Sequence, residues 1–265
     1  MIYMHQQKAI DYITEKMRSD SQIDALLISG SISHGFNDEH SDVDINIVVS
    51  DEIYEQKKRE HAVTYWESAE NFYAGGYFDG KYINLNYLAM VAERGNEPTR
   101  FALQDCKIAF DKTGQVSDYI KKIGVYDSSA ENIKEKTIRF LAQLDAWKWY
   151  CGEALKKGNQ YLLDVSVTKL ILFAGRLVLL ENKIFFPYHK WFMKVLENAP
   201  NKPSDFMLVT ERLLNNKTQD NIERLYELVK SYKDWTEGEE YGWGSHFIRD
   251  TETVWMRQDD FIENI

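Results

Sequence analysis

Two aspartates near the start of the sequence have the spacing of a metal site. Asp42 and Asp44 open an apolar run that continues through Ile45 and Ile47. Alternate side chains of a strand point to opposite faces, so both carboxylates project from one face and Val43 and the isoleucines from the other. Two neighbouring carboxylates repel each other unless a cation lies between them. Hard oxygen ligands suit Mg²⁺ that is shared with substrate phosphates, so the pair predicts a catalytic metal site.

A turn of small residues lies just before the acidic pair. The segment LLISGSISHGF contains Gly30, Ser31 and Ser33, which offer backbone amides and hydroxyls in a tight turn. Turns of this kind bind phosphate groups. A phosphate-binding turn beside a metal-binding pair predicts a site for a nucleoside triphosphate (NTP), with Gly30 and Ser31 on the beta and gamma phosphates.

A longer motif joins the turn to the acidic pair. Its residues are Gly30, Ser31, Ser33, Gly35, Ser41, Asp42 and Asp44. In this order and between two apolar strands, they resemble the signature of the nucleotidyltransferase superfamily typified by DNA polymerase beta, including the members that modify aminoglycoside and lincosamide antibiotics. The resemblance implies Mg²⁺-dependent transfer of a nucleoside monophosphate from NTP to a hydroxyl of a small molecule, antibiotics included. It also implies that Ser33 and Ser41 belong to the nucleotide site.

The elements that must position these residues indicate an α+β protein. The resemblance implies an N-terminal nucleotidyltransferase domain over residues 1–115, a mixed sheet with flanking helices. The pattern loosens between Thr113 and Asp127, and periodic helices then predict a C-terminal helical bundle over residues 126–265. A charge-rich segment from about Asp51 to about Glu70, which includes Trp66, predicts a further helix in the first domain.

A third carboxylate is the difficult part of the resemblance, because the family usually supplies one from a neighbouring strand. Asp79-Gly80 predicts a two-residue hairpin, which places Asn84 and Asn86 on one face of the following strand. Asn84 then takes the position of the third carboxylate, with Asn86 as the other candidate on that face, although an amide cannot act as a base. Three alternatives follow: Asp79 or Asp145 supplies the acid, the enzyme works slowly without it, or the protein binds nucleotide without turnover.

Basic and aromatic residues of the second half are further candidates. Lys169 and Arg176, on a predicted helix from about Asn159 to Glu181, are assigned to the triphosphate because its charge needs more than Mg²⁺ to offset it. Four aromatic residues follow near the end of the sequence, and we expect them to cover the bundle or to line the acceptor cleft. They are Tyr241, Trp243, Phe247 and Trp255.

Composition narrows the class of partner and the compartment. A net charge of -10 and an isoelectric point near 5.2 provide no basic surface for nucleic acid, so a small acceptor is favoured. Cys106 and Cys151 are too few for a disulfide framework. Without an apolar run that spans a bilayer or the core of a signal peptide, we expect a cytoplasmic protein that does not bind membranes.

Two functions of different classes fit these features. The first is the Mg²⁺-dependent nucleotidyltransferase that acts on NTP and a small hydroxyl-bearing acceptor. The alternative is a weakly active or inactive protein of the same fold that serves as a nucleotide-binding or regulatory module. The amide of Asn84 is the feature that favours this alternative.

Overall fold

A computed structural model describes residues 1–257 and 260–265 of the chain. The predicted α+β class is confirmed, because one mixed sheet of five strands lies in the first half and helices follow in the second. The chain divides into two compact units, which we call the sheet unit, Met1–Val125, and the helical unit, Tyr126–Ile265.

The sheet unit contains five strands and six helices among its described elements. The strands are β1 Ile23–Ile28, β2 Val43–Val49, β3 Thr64–Ser68, β4 Tyr77–Ile83 and β5 Lys107–Asp111. The helices are α1 Met4–Ser19, α2 Gly30–His34, α3 Asp51–Arg59, α4 Leu85–Arg94, α5 Glu97–Gln104 and α6 Val116–Ile123. The strand order across the sheet is β3-β4-β2-β1-β5.

Both faces of the sheet are covered. On one face, Ile45 and Ile47 of β2 pack in a buried cluster with Ala9 and Ile13 of α1. On the other face, apolar residues of β1, β2 and β4 pack in a second cluster with α4, α5 and α6. The strand pair β2 and β4 is parallel, and the remaining neighbours are antiparallel. Asp44 projects from the second face, because it alternates with the residues of the first.

The predicted hairpin at Asp79-Gly80 is wrong, because both residues lie inside β4. Glycine is required at this position for close packing, since a Cβ on Gly80 would lie 2.5 Å from the carbonyl oxygen of Ile45 on the neighbouring strand. The strand then ends at Ile83. The predicted strand through Asn84 is therefore wrong as well.

The predicted helix from about Asp51 to about Glu70 is correct only as far as Arg59. His61 has a positive φ of 55°, which ends the helical course. Strand β3 begins three residues later, at Thr64, and exposed and half-buried side chains alternate along it. Tyr65 faces the buried cluster under α1, whereas Trp66 lies on the opposite face and is exposed.

The helical unit begins with two long helices that pack against each other. Its helices are α7 Ala130–Lys157, α8 Gln160–Glu181, α9 Tyr188–Asn198, α10 Phe206–Asn215, α11 Gln219–Lys230 and α12 Trp243–Phe247. A π-helical turn, Ile248–Glu252, and a 3₁₀ turn, Val254–Met256, follow. The side chains of Ser129 and Asn159 cap α7 and α8, because each accepts a hydrogen bond from the backbone amide three residues further on.

Helix α8 is buried on all sides from Leu170 to Leu180, as the apolar composition of this part requires. Its residues Leu170, Phe173 and Leu177 have no exposed surface. Long apolar helices of this kind need cover from several neighbours, and α7, α9, α10 and α11 all contact it. Among residues 1–257 and 260–265, no helix is both long and apolar enough to cross a membrane.

The aromatic residues near the end of the sequence divide into two groups. Phe247 is buried in the helical unit, as expected of a residue that covers the bundle. Tyr241 lines a cavity of about 340 Å³ within the same unit. Trp243 is 40% exposed and Trp255 is 79% exposed, so the expectation that these aromatic side chains are all covered is wrong for both.

Two helical glycines of the helical unit provide a test of the packing. A Cβ on Gly175 would lie 2.3 Å from Cζ of Phe192, whereas a Cβ on Gly152 meets nothing within 4 Å. We expect Gly175→Ala to lower the free energy of unfolding by about 1–3 kcal/mol through overpacking. Gly152→Ala should raise it by about 1 kcal/mol through helix propensity. Urea denaturation measures both, and equal shifts would contradict this packing of α8 on α9.

Candidate functional site

Three carboxylates come together at the start of the parallel strand pair. Asp42, Asp44 and Asp79 each offer an oxygen, and these oxygens lie within 4.8 Å of one another. Asp42 directly precedes β2, and Asp44 pairs in register with Asp79 of β4. Neighbouring residues in register project from the same face of the sheet. We call these three residues the acidic cluster. Their mutual repulsion makes the position suited to a cation.

Asn84 is not at the position of the third carboxylate, and this prediction is wrong. Asn84 is the N-cap of α4, where its Oδ1 accepts from the backbone amide of Tyr87 at 2.8 Å. Its Nδ2 donates to Oδ1 of Asp51 at 2.8 Å. The amide oxygen is therefore committed to the start of α4, and the amide nitrogen to Asp51 at the start of α3. Asp79, one of the alternatives derived from the sequence, stands with Asp42 and Asp44 instead.

The other alternative acid, Asp145, is held in a polar network of the helical unit. Its carboxylate accepts from the hydroxyl of Tyr226 at 2.8 Å and from that of Tyr241 at 2.5 Å. Nζ of Lys230 lies 3.4 Å from the same carboxylate. Burial, and then the bond to Asp145, raise the pKa of both tyrosines, so their hydroxyls stay protonated as donors. Asp145 therefore joins α7 to α11 and to the segment around Tyr241.

The segment predicted as a tight turn forms the short helix α2, Gly30–His34, which ends at Gly35. We keep the name glycine-serine turn for residues 30–35, which lie against the acidic cluster. Gly30 has a φ of +62°, and a Cβ there would lie 1.7 Å from Oδ2 of Asp44. The backbone amide of Ser29 donates to the carbonyl oxygen of Asp44 at 2.9 Å. A residue with a side chain could not adopt this arrangement without moving the carboxylate. The sequence therefore requires glycine at this position for the contact with Asp44 as well as for the turn.

The predicted hydroxyl ligands differ in their availability. Ser31 is buried, and its Oγ has no hydrogen-bond partner among the described residues. Ser33 Oγ donates to the carbonyl oxygen of Gly30 at 3.0 Å, which stabilises the turn. Ser41 Oγ donates to Oδ1 of Asp38 at 3.0 Å and accepts from the Asp38 amide at 2.9 Å. Ser31 is thus the hydroxyl most in need of a ligand, whereas Ser33 and Ser41 shape the backbone around the site.

Sequence reasoning missed Asn46, which lies two residues beyond Asp44 on the same face of β2. Its Nδ2 donates to Oγ of Ser29 at 3.0 Å. Its Oδ1 is buried without a hydrogen-bond partner among residues 1–257 and 260–265. The alternation of Asp42, Asp44 and Asn46 in the strand was a usable signal for this residue.

The side chain of His34 connects the glycine-serine turn to α5. Its side chain is only 4% exposed, and Nδ1 lies 2.9 Å from Oδ2 of Asp105. The imidazole also stacks on Phe101 of α5, with ring centroids 4.5 Å apart. These contacts fix the end of α2 against α5. His34 therefore serves as an anchor of the turn.

Tyr77 borders the acidic cluster at the start of β4. The pKa of its phenol is raised chiefly by the negative charge of Asp42 and a hydrogen bond to that carboxylate, with smaller contributions from burial and from Asp79 and Asp44. All three carboxylates therefore act on this one hydroxyl. Sequence reasoning missed Tyr77, although it lies two residues before Asp79 and so shares its face of the strand.

Lys169 and Arg176 make their contacts within the helical unit. Lys169 forms an ion pair with Glu263. Arg176 is buried, and its guanidinium lies 4.7 Å from the ring centroids of both Phe140 and Phe186. It also donates a hydrogen bond to the carbonyl oxygen of Ile265. These contacts give both residues a structural role, and their assignment to the triphosphate stays a prediction.

Comparison with known proteins adds little to these residues. No protein-family model and no curated protein matches the chain. Among solved structures, the chain is similar to the crystal structure of a nucleotidyltransferase-like protein from Exiguobacterium sibiricum 255-15, with 12% sequence identity and a TM-score of 0.46. The match covers 96% of this chain and 81% of that one. At this level of similarity, the function must be argued from the site itself.

The contact between Gly30 and Asp44 can be tested with a second glycine of the same turn. Gly35 has a φ of +71°, but a Cβ there meets nothing within 4 Å. We expect Gly35→Ala to lower the free energy of unfolding by about 1–2 kcal/mol, the cost of a left-handed backbone at alanine. Gly30→Ala should cost more and should weaken Mg²⁺ binding, because it displaces the Asp44 carboxylate. Urea denaturation and calorimetric Mg²⁺ titration measure the two effects, and identical behaviour of the variants would refute the contact.

Proposed function

We propose that this protein is a Mg²⁺-dependent nucleotidyltransferase that moves a nucleoside monophosphate from NTP to a hydroxyl of a small acceptor, antibiotics included. The observation that carries the proposal is the acidic cluster, with its carboxylate oxygens within 4.8 Å of one another. The glycine-serine turn beside it brings a buried hydroxyl that has no partner in the described part of the chain. Together they provide groups for a metal and for phosphates at one edge of one sheet.

The residues present fit a divalent metal. Asp42, Asp44 and Asp79 form an all-oxygen, triply negative donor set, which is the kind that Mg²⁺ prefers. Because Gly30 has no Cβ, the Asp44 carboxylate can occupy its position in the cluster. When bound, Mg²⁺ supplies neutralisation of the phosphate charge and polarisation of the reacting phosphoryl group.

Side chains of the protein supply the other groups that the reaction needs. Ser31 Oγ, buried without a partner among the described residues, is available to donate to a phosphate oxygen of the nucleotide. Asp42 and Asp44 are partly buried and would hold the metal, whereas Asp79 is exposed. Asp79 is thus the carboxylate that an incoming acceptor meets, and we assign it the proton of the attacking hydroxyl.

The partner and compartment form part of the same proposal. A net charge of -10 supports a small acceptor rather than nucleic acid. Cys106 and Cys151 are both free, and burial raises the pKa of each thiol to about 12. Unreactive, unpaired thiols suit a reducing compartment, so we assign the protein to the cytoplasm.

The alternative of a binding module loses its main support. That alternative depended on a neutral amide in place of the third carboxylate. Asn84 instead caps α4, and Asp79 brings a third negative charge to Asp42 and Asp44. We therefore favour the enzyme.

Metal-dependent nucleotide binding is the direct test of the site. Calorimetric titration with ATP and GTP should give an affinity that falls by roughly tenfold or more when Mg²⁺ is chelated, because the carboxylates and the triphosphate then repel each other. Asp42→Asn combined with Asp44→Asn should remove this metal dependence. Asp118→Asn, at an exposed position of α6, is the control and should bind as the wild type does. Equal metal dependence in the double variant would disprove the site.

The role of Asp79 is tested against that of Asn84. Asp79→Asn should lower pyrophosphate release from NTP by about 10²-fold or more, in line with the loss of a proton acceptor. Asn84→Asp should leave Mg²⁺ affinity unchanged and should reduce stability, because the new carboxylate faces Asp51 in place of an amide donor.

Mg²⁺ titration, pyrophosphate release and urea denaturation distinguish these effects. If Asn84→Asp tightened Mg²⁺ binding while Asp79→Asn left turnover intact, the assignment of the third carboxylate would be reversed.

A further inference from the structure

Trp66 is a large aromatic side chain that the fold leaves in solvent beside the acidic cluster. It is 67% exposed, and in the antiparallel pair of β3 and β4 it lies directly opposite Asp79. Residues directly opposite each other in such a pair share one face, with Cβ atoms about 5 Å apart. The indole therefore stands next to the exposed carboxylate of the cluster.

Tyr77 extends this aromatic surface. Its ring and that of Trp66 are nearly parallel, with an interplanar angle of 24° and centroids 6.5 Å apart. Tyr77 is itself 36% exposed, and it lies two residues before Asp79 on the same face of β4. We call these two rings the aromatic platform.

The platform contributes little to the core of the sheet unit. Tyr65, the preceding residue of β3, faces the buried cluster under α1. Trp66 faces the other way and keeps two thirds of its surface in water. An edge strand is commonly protected by charged or polar side chains rather than by a bare indole. The tryptophan thus has no evident role in folding.

The strand order places the groups of the site in sequence across the sheet. The glycine-serine turn follows β1, Asp44 lies on β2, Asp79 on β4 and Trp66 on β3. With the order β3-β4-β2-β1, these groups form one row across the sheet. The turn and the aromatic platform therefore lie on opposite sides of the acidic cluster.

The order of these groups constrains a phosphoryl transfer at the site, so the inference rests on the proposed function. In such a transfer, the attacking oxygen and the leaving oxygen are roughly in line across the phosphorus. If the pyrophosphate leaves on the side of the glycine-serine turn, the hydroxyl must arrive from the side of β4 and β3. The bond formed joins the acceptor oxygen to the α-phosphorus, the bond broken joins that phosphorus to the pyrophosphate oxygen, and the hydroxyl proton goes to Asp79.

We propose that the aromatic platform of Trp66 and Tyr77 binds a ring of the acceptor by stacking. The acceptor is then a compound whose reactive hydroxyl lies on or beside a ring that is flat, as in an aromatic alcohol, or has an apolar face, as in a sugar. Neighbouring strands are about 5 Å apart. One ring stacked on the indole therefore brings its hydroxyl within reach of Asp79.

The charge around the platform narrows the acceptor further. The acidic cluster brings three carboxylates beside the platform, and its exposed member, Asp79, lies directly opposite Trp66. An anionic acceptor would meet the same negative field and be repelled. The ring that stacks here is therefore neutral or positively charged.

The test uses the intact chain labelled with 5-fluorotryptophan, whose seven tryptophans can be followed by fluorine NMR. Trp66→Phe and Trp255→Phe assign the resonances of these two residues. Trp255, 79% exposed in the helical unit, is the matched control. Phenyl β-D-glucopyranoside is the ring probe and sorbitol, an open-chain polyol, is its ring-free counterpart. Each is titrated with and without Mg²⁺ and a non-hydrolysable ATP analogue.

We expect the Trp66 resonance to shift saturably with the ring probe and not with sorbitol, while the Trp255 resonance stays in place. Tyr77→Ala should weaken binding of the probe by about tenfold, a typical effect of removing one aromatic stacking partner. An unchanged Trp66 resonance up to the solubility limit of the probe, or parallel shifts of Trp66 and Trp255, would overturn the proposal.

Failure of the proposed function gives a different result. In that case the ATP analogue and Mg²⁺ produce no metal-dependent binding in calorimetry, yet the ring probe still shifts the Trp66 resonance. Conversely, metal-dependent nucleotide binding without any effect of the ring probe on Trp66 retains the nucleotide site and removes the aromatic platform from it.

Discussion

The parallel pairing of β2 and β4 is the constraint on which the site depends. Its register places Asp44 beside Asp79, so two strands that are distant in sequence bring their carboxylates together. A parallel pair requires a crossover, and here α3 and the edge strand β3 lie in the connection between the two strands. The same connection places Trp66 opposite Asp79. The acidic cluster thus follows from the pairing of β2 with β4, and the aromatic platform follows from the pairing of β4 with β3.

Two missing Cβ atoms allow the backbones to approach each other closely enough. At Gly80 a Cβ would lie 2.5 Å from the carbonyl oxygen of Ile45, and at Gly30 a Cβ would lie 1.7 Å from Oδ2 of Asp44. The first glycine permits β4 to pair closely with β2, and the second permits the turn to rest on the carboxylate. Both therefore act on the geometry of the acidic cluster without contributing a ligand.

Two buried polar atoms without partners lie beside this cluster. Ser31 Oγ and Asn46 Oδ1 are buried without a hydrogen bond among the described residues, which costs about 1–3 kcal/mol for each such group. A folded chain tolerates this cost where a ligand satisfies the atoms. In the helical unit, the carboxylate of Asp145 accepts hydrogen bonds from two tyrosines and lies beside Lys230. The guanidinium of Arg176 lies between two aromatic rings of the same unit.

The sequence by itself determined the local features: the α+β class, the turn at Gly30, the paired Asp42 and Asp44, and the long helices of the second half. Each depends on residues close together in sequence, so spacing and periodicity suffice to predict it. Tertiary structure alone decided that Asp79 rather than Asn84 completes the acidic cluster, and that Trp66 lies beside it. The dipeptide Asp-Gly occurs both in two-residue hairpins and in strands that lie close to a neighbouring strand, so the dipeptide alone does not identify either structure. Only the register between β2 and β4, set by packing of residues far apart in the chain, distinguishes the two.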